Sequence, residues 1–444
     1  MMIELKQKYT SIGGWEEEPK PLQSALNKDI NADVVIIGGG LAGLCASLEL
    51  VKSGLKVVVL EKEFSGFGAS GRNAGYLGGA LGLKYDLFLK KTGTEGAKNV
   101  VDFYEKGVDF AENIFKEYTI DCDYIQSGLI RAAIHESQEK SIRNDMKLGA
   151  ELGCETEFLD HNEMRARGIP PAFLFGSYIS RGGTLNPGKY IQGLRRAAIQ
   201  AGVELYENTP MVSFHEVDGT VKVKSPNGSV SAANLILANN AYMPQLGLLQ
   251  DRTVPLRVSA IETMPLSPTQ LNALGWYNRE GITTAHHIME SHRLTARNTL
   301  VCTTKKLHYV YGSKTPNEPD FGQYRALKIA IQDRFPMLKD ISIKSCWSGY
   351  ISYANDALPV VGTMGRHKNI YYAAGCAGHG LGTQGMIGNF IAKKILGYEE
   401  SMLTFLMANK TPRTLPEPLR WCVLNGALFA ASRLDEQVNR KART

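Results

Sequence analysis

The stretch Asp33-Val34-Val35-Ile36-Ile37-Gly38-Gly39-Gly40-Leu41-Ala42-Gly43, continued at Lys56-Val57-Val58-Val59-Leu60-Glu61, decides the fold. Its first apolar run is short, β-branched and followed at once by glycines, so it reads as a buried parallel strand. Residues 41–53 carry apolar positions at helical spacing, and Val57 to Leu60 is a second buried strand. Strand, glycine turn, helix and strand make a βαβ unit. Gly38 permits the turn, Gly40 lets the backbone approach a pyrophosphate, and Gly43 lets helix and strand pack closely. The helix start offers unpaired N–H groups and partial positive charge. Glu61 stands 18 residues after Gly43, near the distance expected for a carboxylate that takes ribose hydroxyls. The glycine pattern alone is weak, but strand, helix and acid together make it strong. Nothing in it separates FAD from NAD.

Phe64 to Gly75 follows, with Ser70-Gly71-Arg72-Asn73-Ala74-Gly75 at its end. It is too rich in glycine for a helix interior and too long for a hairpin turn, so it reads as a loop lying over something. Its donors suit phosphates or a polar ring edge.

The rest of the chain sets bounds. Its 444 residues, 43% hydrophobic and 21% charged, are enough for two or three domains' worth of ordinary globular core. A net charge of +6 without a dense basic run disfavours nucleic acid as a partner. Seven scattered cysteines with no Cys-x-x-Cys pair indicate neither a disulfide framework nor a metal site. They fit a reducing, cytoplasmic setting. Met1 to Lys20 is polar and does not read as a signal peptide, and no run approaches the ~20 apolar residues of a spanning helix.

Residues 1–30 read as an arm pinned by Trp15, Pro19, Pro21 and Leu22. Helices are expected over 94–118, 136–152, 189–201 and 321–334, and strands over 128–134 and 203–206. The runs 214–223 and 229–238 bracket a hairpin turn at Pro226-Asn227-Gly228, and Asn234 to Asn240 ends as a buried strand. From 250 to 345 the pattern changes to longer alternating strands, at Val258 to Thr263, Leu300 to Thr304 and Leu307 to Tyr311. This predicts a mixed or antiparallel sheet inserted between pieces of the first.

Ile370 to Gly375 is a further strand running into glycines. Gly375-Cys376-Ala377-Gly378-His379-Gly380-Leu381-Gly382-Thr383 then opens an apolar helix, a second helix start aimed through a glycine turn. No strand ending in an acid follows, so a second dinucleotide site is rejected. His379 reads as a flavin contact or a donor to backbone ahead of a base.

The βαβ unit, the Gly-Ala-Ser-Gly-Arg-Asn loop and the Gly-x-x-Gly-His-Gly helix start together resemble the FAD-dependent glycine/D-amino acid oxidase superfamily. Trp347-Ser348-Gly349, Asn355 to Gly362 and Leu237 to Tyr242 narrow the resemblance to the γ-glutamylputrescine oxidase and pipecolate oxidase branch, with sarcosine oxidase more distant. The resemblance implies an α/β fold: a discontinuous Rossmann-like FAD-binding domain (31–83, 183–245 and 345–397) and a mixed-sheet substrate domain (84–182 and 246–344). Residues 398–444 are a linker and an amphipathic helix. It implies hydride transfer from the carbon beside an amine nitrogen to flavin N5, hydrolysis of the imine, and reoxidation by oxygen with release of hydrogen peroxide. The cofactor contacts it implies are Gly38, Gly40, Leu41, Ala42, Gly43, Glu61 and Lys62, then Ser70, Gly71, Arg72, Asn73 and Ala74. Met211, Ala238, Asn239 and Gly349 follow, and last Gly375, Gly378, His379, Gly380, Leu381, Gly382 and Thr383.

FAD is expected without a covalent link. The position matching the attachment cysteine of some relatives is Gly349, and residues 70–75 hold no histidine. Relatives acting on small N-methyl amino acids place a lysine where Gly382 stands, so that grip on a substrate carboxylate is absent. Tyr309, Tyr311 and Tyr353 are expected to line the open flavin face with His379 at its edge, or else to pack within the sheet. A γ-glutamylated polyamine is the first substrate expected, a cyclic amino acid the second. The competing readings are a dehydrogenase feeding a membrane quinone or a protein acceptor, an NAD enzyme, and a non-catalytic flavoprotein subunit. The helix from Leu419 to Val438, apolar at Trp421, Val423, Leu424, Leu428, Phe429 and Leu434, is expected to pack on its own body or a partner subunit, with peripheral membrane contact as the alternative.

Overall fold

The computed structural model describes Leu5, residues 8–15 and residues 19–443; Glu16, Glu17 and Glu18 of the expected arm lie outside them. Strand Ile30–Ile37, helix Leu41–Lys52 and strand Val57–Leu60 form the expected unit. The strands pair in parallel, Val34 with Val57 through Ile37 with Leu60. Their continuous apolar runs have a simple cause. Val34, Ile36, Val57 and Val59 enter a core shared with helices Leu41–Lys52, Pro187–Gln200 and Gly380–Ile395. Val35, Ile37, Val58 and Leu60 enter one shared with Val221 and Val223 of a three-stranded layer. Both faces are covered, so neither can be polar.

The main path of this eight-stranded sheet is Val360–Met364, Ile370–Ala374, Gly228–Leu237, Ile30–Ile37, Val57–Leu60 and Glu204–Tyr206, with Thr220–Ser225 and Ser213–Val217 added beside Gly228–Leu237. Ile30–Ile37 lies between Val57–Leu60 and the much later Gly228–Leu237. The order reverses there, and such a switch point leaves a crevice at the carboxyl ends of the strands. The run expected as one strand over 214–223 is two, Ser213–Val217 and Thr220–Ser225. Asp218 and Gly219 both take positive φ and turn the chain, as Asp-Gly does in a two-residue hairpin loop.

The second sheet has nine strands. Val254–Thr263 lies beside Ile343–Tyr353 over ten paired residues, and Leu300–Thr304, Glu290–Leu294 and Gly281–Thr284 continue from its other side. Residues 345–353, expected in the FAD-binding part, therefore run in this second sheet. Pairing with Val254–Thr263 uses all of Ile343–Tyr353, and the chain reaches the first sheet only at Val360–Met364. Helix Phe321–Arg334 matches its expected bounds. The helix expected over 94–118 begins earlier, at Tyr85, and bends at Gly93, whose φ of 70° breaks its two arms. Leu307 to Tyr311 shortens to His308–Tyr309 and a turn.

Helix Leu419–Arg443 lies on the second sheet inside out. Leu424 and Leu428 pack beside Tyr309 and Val438 against the second-sheet core, but its fully buried groups, Arg420, Asp435 and Asn439, are polar. Arg420 donates to the Leu415 carbonyl, and Asp435 accepts from the His287 and Ile288 amides at 2.8 and 2.9 Å. Asn439 accepts from Arg334. Arg334 also meets buried Glu290 at 3.1 Å. Burial alone would raise the Glu290 carboxyl, but Arg334, His292 and Lys305 hold it well below the usual range. Trp421, Val423, Phe429 and Leu434 are exposed. No helix of the described residues is long and apolar enough to cross a membrane.

Candidate flavin site

Two helices, Leu41–Lys52 and Gly380–Ile395, start near the switch point. Each follows a strand and a positive-φ glycine, Gly38 at 111° and Gly375 at 74°. Neither has a side-chain cap, and neither has an acid in its first turn. Both positive ends are left un-neutralised, the condition for holding an anion or a developing negative charge.

Around the first start the glycines are steric requirements. A Cβ on Gly43 would stand 2.0 Å from the Gly38 carbonyl oxygen, and one on Gly38 would stand 2.9 Å from that of Ala238. A Cβ on Gly40 would meet only Ser70 within 4 Å, so its outer side is open. The Leu41 amide donates to Ser70 Oγ at 3.1 Å, while Ala42 and Gly43 stand in the first turn, where helix amides have no partner within the helix. Half-buried Glu61 accepts from the Gly39 amide at 2.7 Å and the Glu63 amide at 3.0 Å. Burial raises its carboxyl pKa against the pull of those two bonds. Lys62 is exposed and pairs with Glu63, so only its backbone faces the turn. Met211 packs in the second core of this sheet.

In the 64–75 loop the structure departs from expectation. Residues Ala69–Arg72 close a helical turn. The Arg72 side chain turns inward to the Phe67 and Ser348 carbonyls and lies over the Phe67 ring. Asn73 Nδ2 donates to the Ala69 and Ser70 carbonyls, and its Oδ1 accepts from the Gly75 amide. Most of the bonding capacity of both side chains shapes the loop, while buried Arg72 Nη2 has no protein partner among the described residues. Gly71 is buried under Gly13, and Gly349 sits against Arg72.

At the second start, Gly375 donates to Ser352 Oγ, and Gly378, with φ of 85°, meets little but Ile351. His379 Nδ1 stands 3.2 Å from the Ala377 carbonyl. A carbonyl only accepts, so Nδ1 carries the proton and Nε2 keeps the lone pair. Burial lowers the His379 pKa, the Ala377 bond opposes this, and Lys84 lowers it further. The imidazole is therefore neutral near pH 7. Its ring meets Tyr104 edge-on at 5.8 Å. Tyr104 was hidden in the sequence among the apolar residues of its helix. Gly382 and Gly380 complete the turn, and Thr383 bonds the His379 carbonyl at 3.1 Å. A Cβ on Gly382 would lie 2.8 Å from the Gly107 carbonyl oxygen, so this position has no room for a lysine. Leu381 is buried in the first core.

Tyr353 is half-buried beside that core. It also packs against Tyr309, in a small cluster with Val254 and Leu256, whereas Tyr311 stands apart. Tyr309 is buried under the C-terminal helix with its hydroxyl on Ser313 and Glu417, and Tyr311 is 52% exposed on a turn. The short strand ends two residues before Tyr311, and Tyr309 takes the second of its two expected places, packed within the sheet beside Leu256.

The residues present fit a dinucleotide. Buried Ser65 Oγ, Asn239 Oδ1, Asn240 Oδ1 and Gln384 Nε2 have no protein partner among the described residues, and all four belong to the segments that frame the two helix starts. A family model described as FAD dependent oxidoreductase, DAO, matches residues 33–394. The chain belongs to the DAO family of FAD-dependent oxidoreductases. Among its relatives in this family, the chain is 29% identical over 387 residues to a probable oxidoreductase OrdL of Haemophilus influenzae, covering 84% of this chain and 85% of the relative. It is 29% identical over 386 residues to a γ-glutamylputrescine oxidoreductase of Escherichia coli, covering 86% and 87%. The crystal structure of glycine oxidase from Geobacillus kaustophilus matches with a TM-score of 0.74 at 19% identity, over 86% of this chain and 99% of that one, a likeness of fold. The DAO family matches the superfamily resemblance read from the motifs.

Proposed function

We propose that this DAO-family chain oxidises the carbon–nitrogen bond of a small amine or amino acid, with oxygen as the electron acceptor. The observation that carries the reading is the pair of uncapped, acid-free helix starts flanking a neutral His379 and Tyr104. FAD, when bound, supplies the two-electron oxidation of the C–N bond to an imine, which water hydrolyses, the electrons passing to oxygen as hydrogen peroxide.

The chain's own residues do the rest. The Gly38–Gly43 turn and the amides of Ala42 and Gly43 would hold the pyrophosphate, Glu61 the ribose hydroxyls, and the Gly378–Thr383 start the electron-rich edge of the ring. The 31–83, 183–245 and 360–397 segments would make up the FAD-binding part. His379 Nε2 offers a lone pair to an N–H of the incoming amine, and Tyr104 and Tyr353 wall that position with aromatic faces. The E. coli relative acts, by its name, on γ-glutamylputrescine. A substrate of that kind, larger than glycine or sarcosine, agrees with the absence of room for a lysine at Gly382. The link to FAD is non-covalent in this reading, because Cys346 is buried in the second-sheet core while Gly349 stands at the matching position.

An anaerobic screen of amines and amino acids, watching the flavin band bleach, tests the proposal. Fastest bleaching by a γ-glutamylated polyamine is expected. Bleaching by dithionite but by nothing in the panel would remove the catalytic assignment. Acid precipitation should leave the yellow colour in the supernatant. The outward apolar groups of Leu419–Arg443 favour one second reading, a peripheral dehydrogenase feeding a membrane quinone. Flotation on anionic liposomes lost on deleting 417–444 would support it.

A further inference from the structure

Three carbonyls of the loop after the short helix Ala69–Arg72 are held by three side chains from distant parts of the chain. Trp347 Nε1 donates to the Arg72 carbonyl at 2.9 Å. Trp15 Nε1 donates to the Asn73 carbonyl at 2.7 Å. Arg293 Nη1 donates to the Gly75 carbonyl at 2.8 Å and the Leu185 carbonyl at 2.6 Å. The three donors form one stack. The Trp15 and Trp347 rings meet edge-on at 5.8 Å, and the Arg293 guanidinium lies 4.5 Å from the centre of the Trp15 ring. All three are buried. The arm that carries Trp15 is itself fixed to the second sheet: the Thr10 amide donates to the Cys346 carbonyl and the Cys346 amide to the Lys8 carbonyl, at 2.9 and 2.8 Å. It passes so close to the loop that a Cβ on Gly13 would overlap the Gly71 carbonyl oxygen at 2.2 Å.

A trans peptide places its C=O and N–H on opposite sides. With the Asn73 carbonyl drawn to Trp15, the Ala74 N–H must point the other way. Asn73 and Ala74 are half-exposed, and the Ala74 N–H has no protein acceptor among the described residues. We propose that Trp15 is a positioning residue for the cofactor: by holding the Asn73 carbonyl it aims the Ala74 N–H at an acceptor on the flavin ring. This rests on the reading above that residues 70–75 contact FAD. It gives the arm before the first strand a part in the site, although the arm lies outside the nucleotide-binding unit.

The test compares wild type with Trp15→Phe, which keeps an aromatic ring beside Trp347 and Arg293 while removing the N–H together with part of the indole. In the full chain with bound FAD, hydrogen exchange of the 71–76 amides should rise at least tenfold in the variant. FAD should dissociate about five- to tenfold faster, one hydrogen bond's worth, and the flavin absorption bands should change shape. The melting temperature and exchange over 254–263 should stay near wild type. Wild-type rates at 71–76 and for FAD release would overturn the proposal. So would faster exchange spread equally over 254–263 and 343–353, because that is general loosening. If the variant does not fold, the wild-type protein decides: Ala74 N–H exchange slowed by added FAD supports the aim, and exchange indifferent to FAD refutes it. A wild-type chain that takes up no FAD sinks the underlying reading instead, an outcome visible before any variant is made.

Discussion

The two helix starts share one device and differ in how they are furnished. At Leu41–Lys52 the surroundings are finished: Ser70 meets the Leu41 amide and Glu61 meets two backbone amides. At Gly380–Ile395 the surroundings are open-ended, with a neutral His379, an unpartnered Gln384 amide and Asn240 Oδ1 close by in the chain's path. A phosphate and a ribose are the same in every FAD, so their end can be built from backbone and one acid. The ring end must also receive a substrate, and there Gln384 Nε2 and Asn240 Oδ1 lack protein partners among the described residues, while Ser65 Oγ and Asn239 Oδ1 lack them beside the first start. The difference separates retention from chemistry.

The largest way to break that separation is to strike both ends at once. Gly388 crosses Ala42, where an added Cβ would stand 2.0 Å from the Ala42 carbonyl oxygen. Gly388→Ala should cost about 3 kcal/mol of stability, because backbone must move, and both ends should fail together. Urea unfolding and FAD titration check it; a variant with normal stability and FAD binding would show that the two helices are not yoked. Next comes Glu61→Ala, which removes an acceptor worth roughly 1.5–3 kcal/mol per charged bond. FAD affinity should fall at least tenfold while the fold survives. The sign with pH follows. Ribose hydroxyls donate to the ionised carboxylate, and the raised pKa puts its protonation nearer neutrality. FAD affinity should therefore weaken as pH falls toward and below the raised value, and Glu61→Gln should flatten that dependence.

At the other end, His379→Asn should lower the rate of flavin reduction about tenfold and leave FAD affinity within twofold. Because the His379 pKa lies below the ordinary histidine value, wild type should show no histidine limb between pH 7 and 9. Protonation enters only on acidification, and the variant should lose that acid limb. A rate unchanged by the substitution would return His379 to a purely structural part. The smallest effects belong to Tyr309 and Tyr311. Tyr309→Phe should cost about 1 kcal/mol in urea, through the lost Glu417 bond, with reduction rates kept. Tyr311→Phe should stay within 0.5 kcal/mol and change no rate.

The first unit was legible because its demands are local. Gly38, Gly40 and Gly43 lie within six residues, and each answers a clash that spacing alone reveals. The second sheet was legible in kind but not in pairing. Val254 meets Tyr353 across about a hundred residues, and nothing in alternation names a partner. Tyr104 was taken for core because it is core on one side and meets His379 on the other. Arg72 and Asn73 look like ligand donors in any glycine loop; only the fold shows how much of their side chains builds the loop. The split at Asp218-Gly219 was legible and passed over: Phe214, Val217 and Val221 stand three and four apart, so the alternation breaks at an Asp-Gly turn signal.

The inside-out helix Leu419–Arg443 has a consequence for biosynthesis. The amides of His287 and Ile288 find their acceptor in Asp435, 148 residues further along the chain for His287. At ribosomal rates of about 5–20 residues per second, that acceptor is made roughly seven to thirty seconds after the loop it closes. The two amides must wait in water for that time, and the second sheet stays unfinished until the C-terminal segment is made.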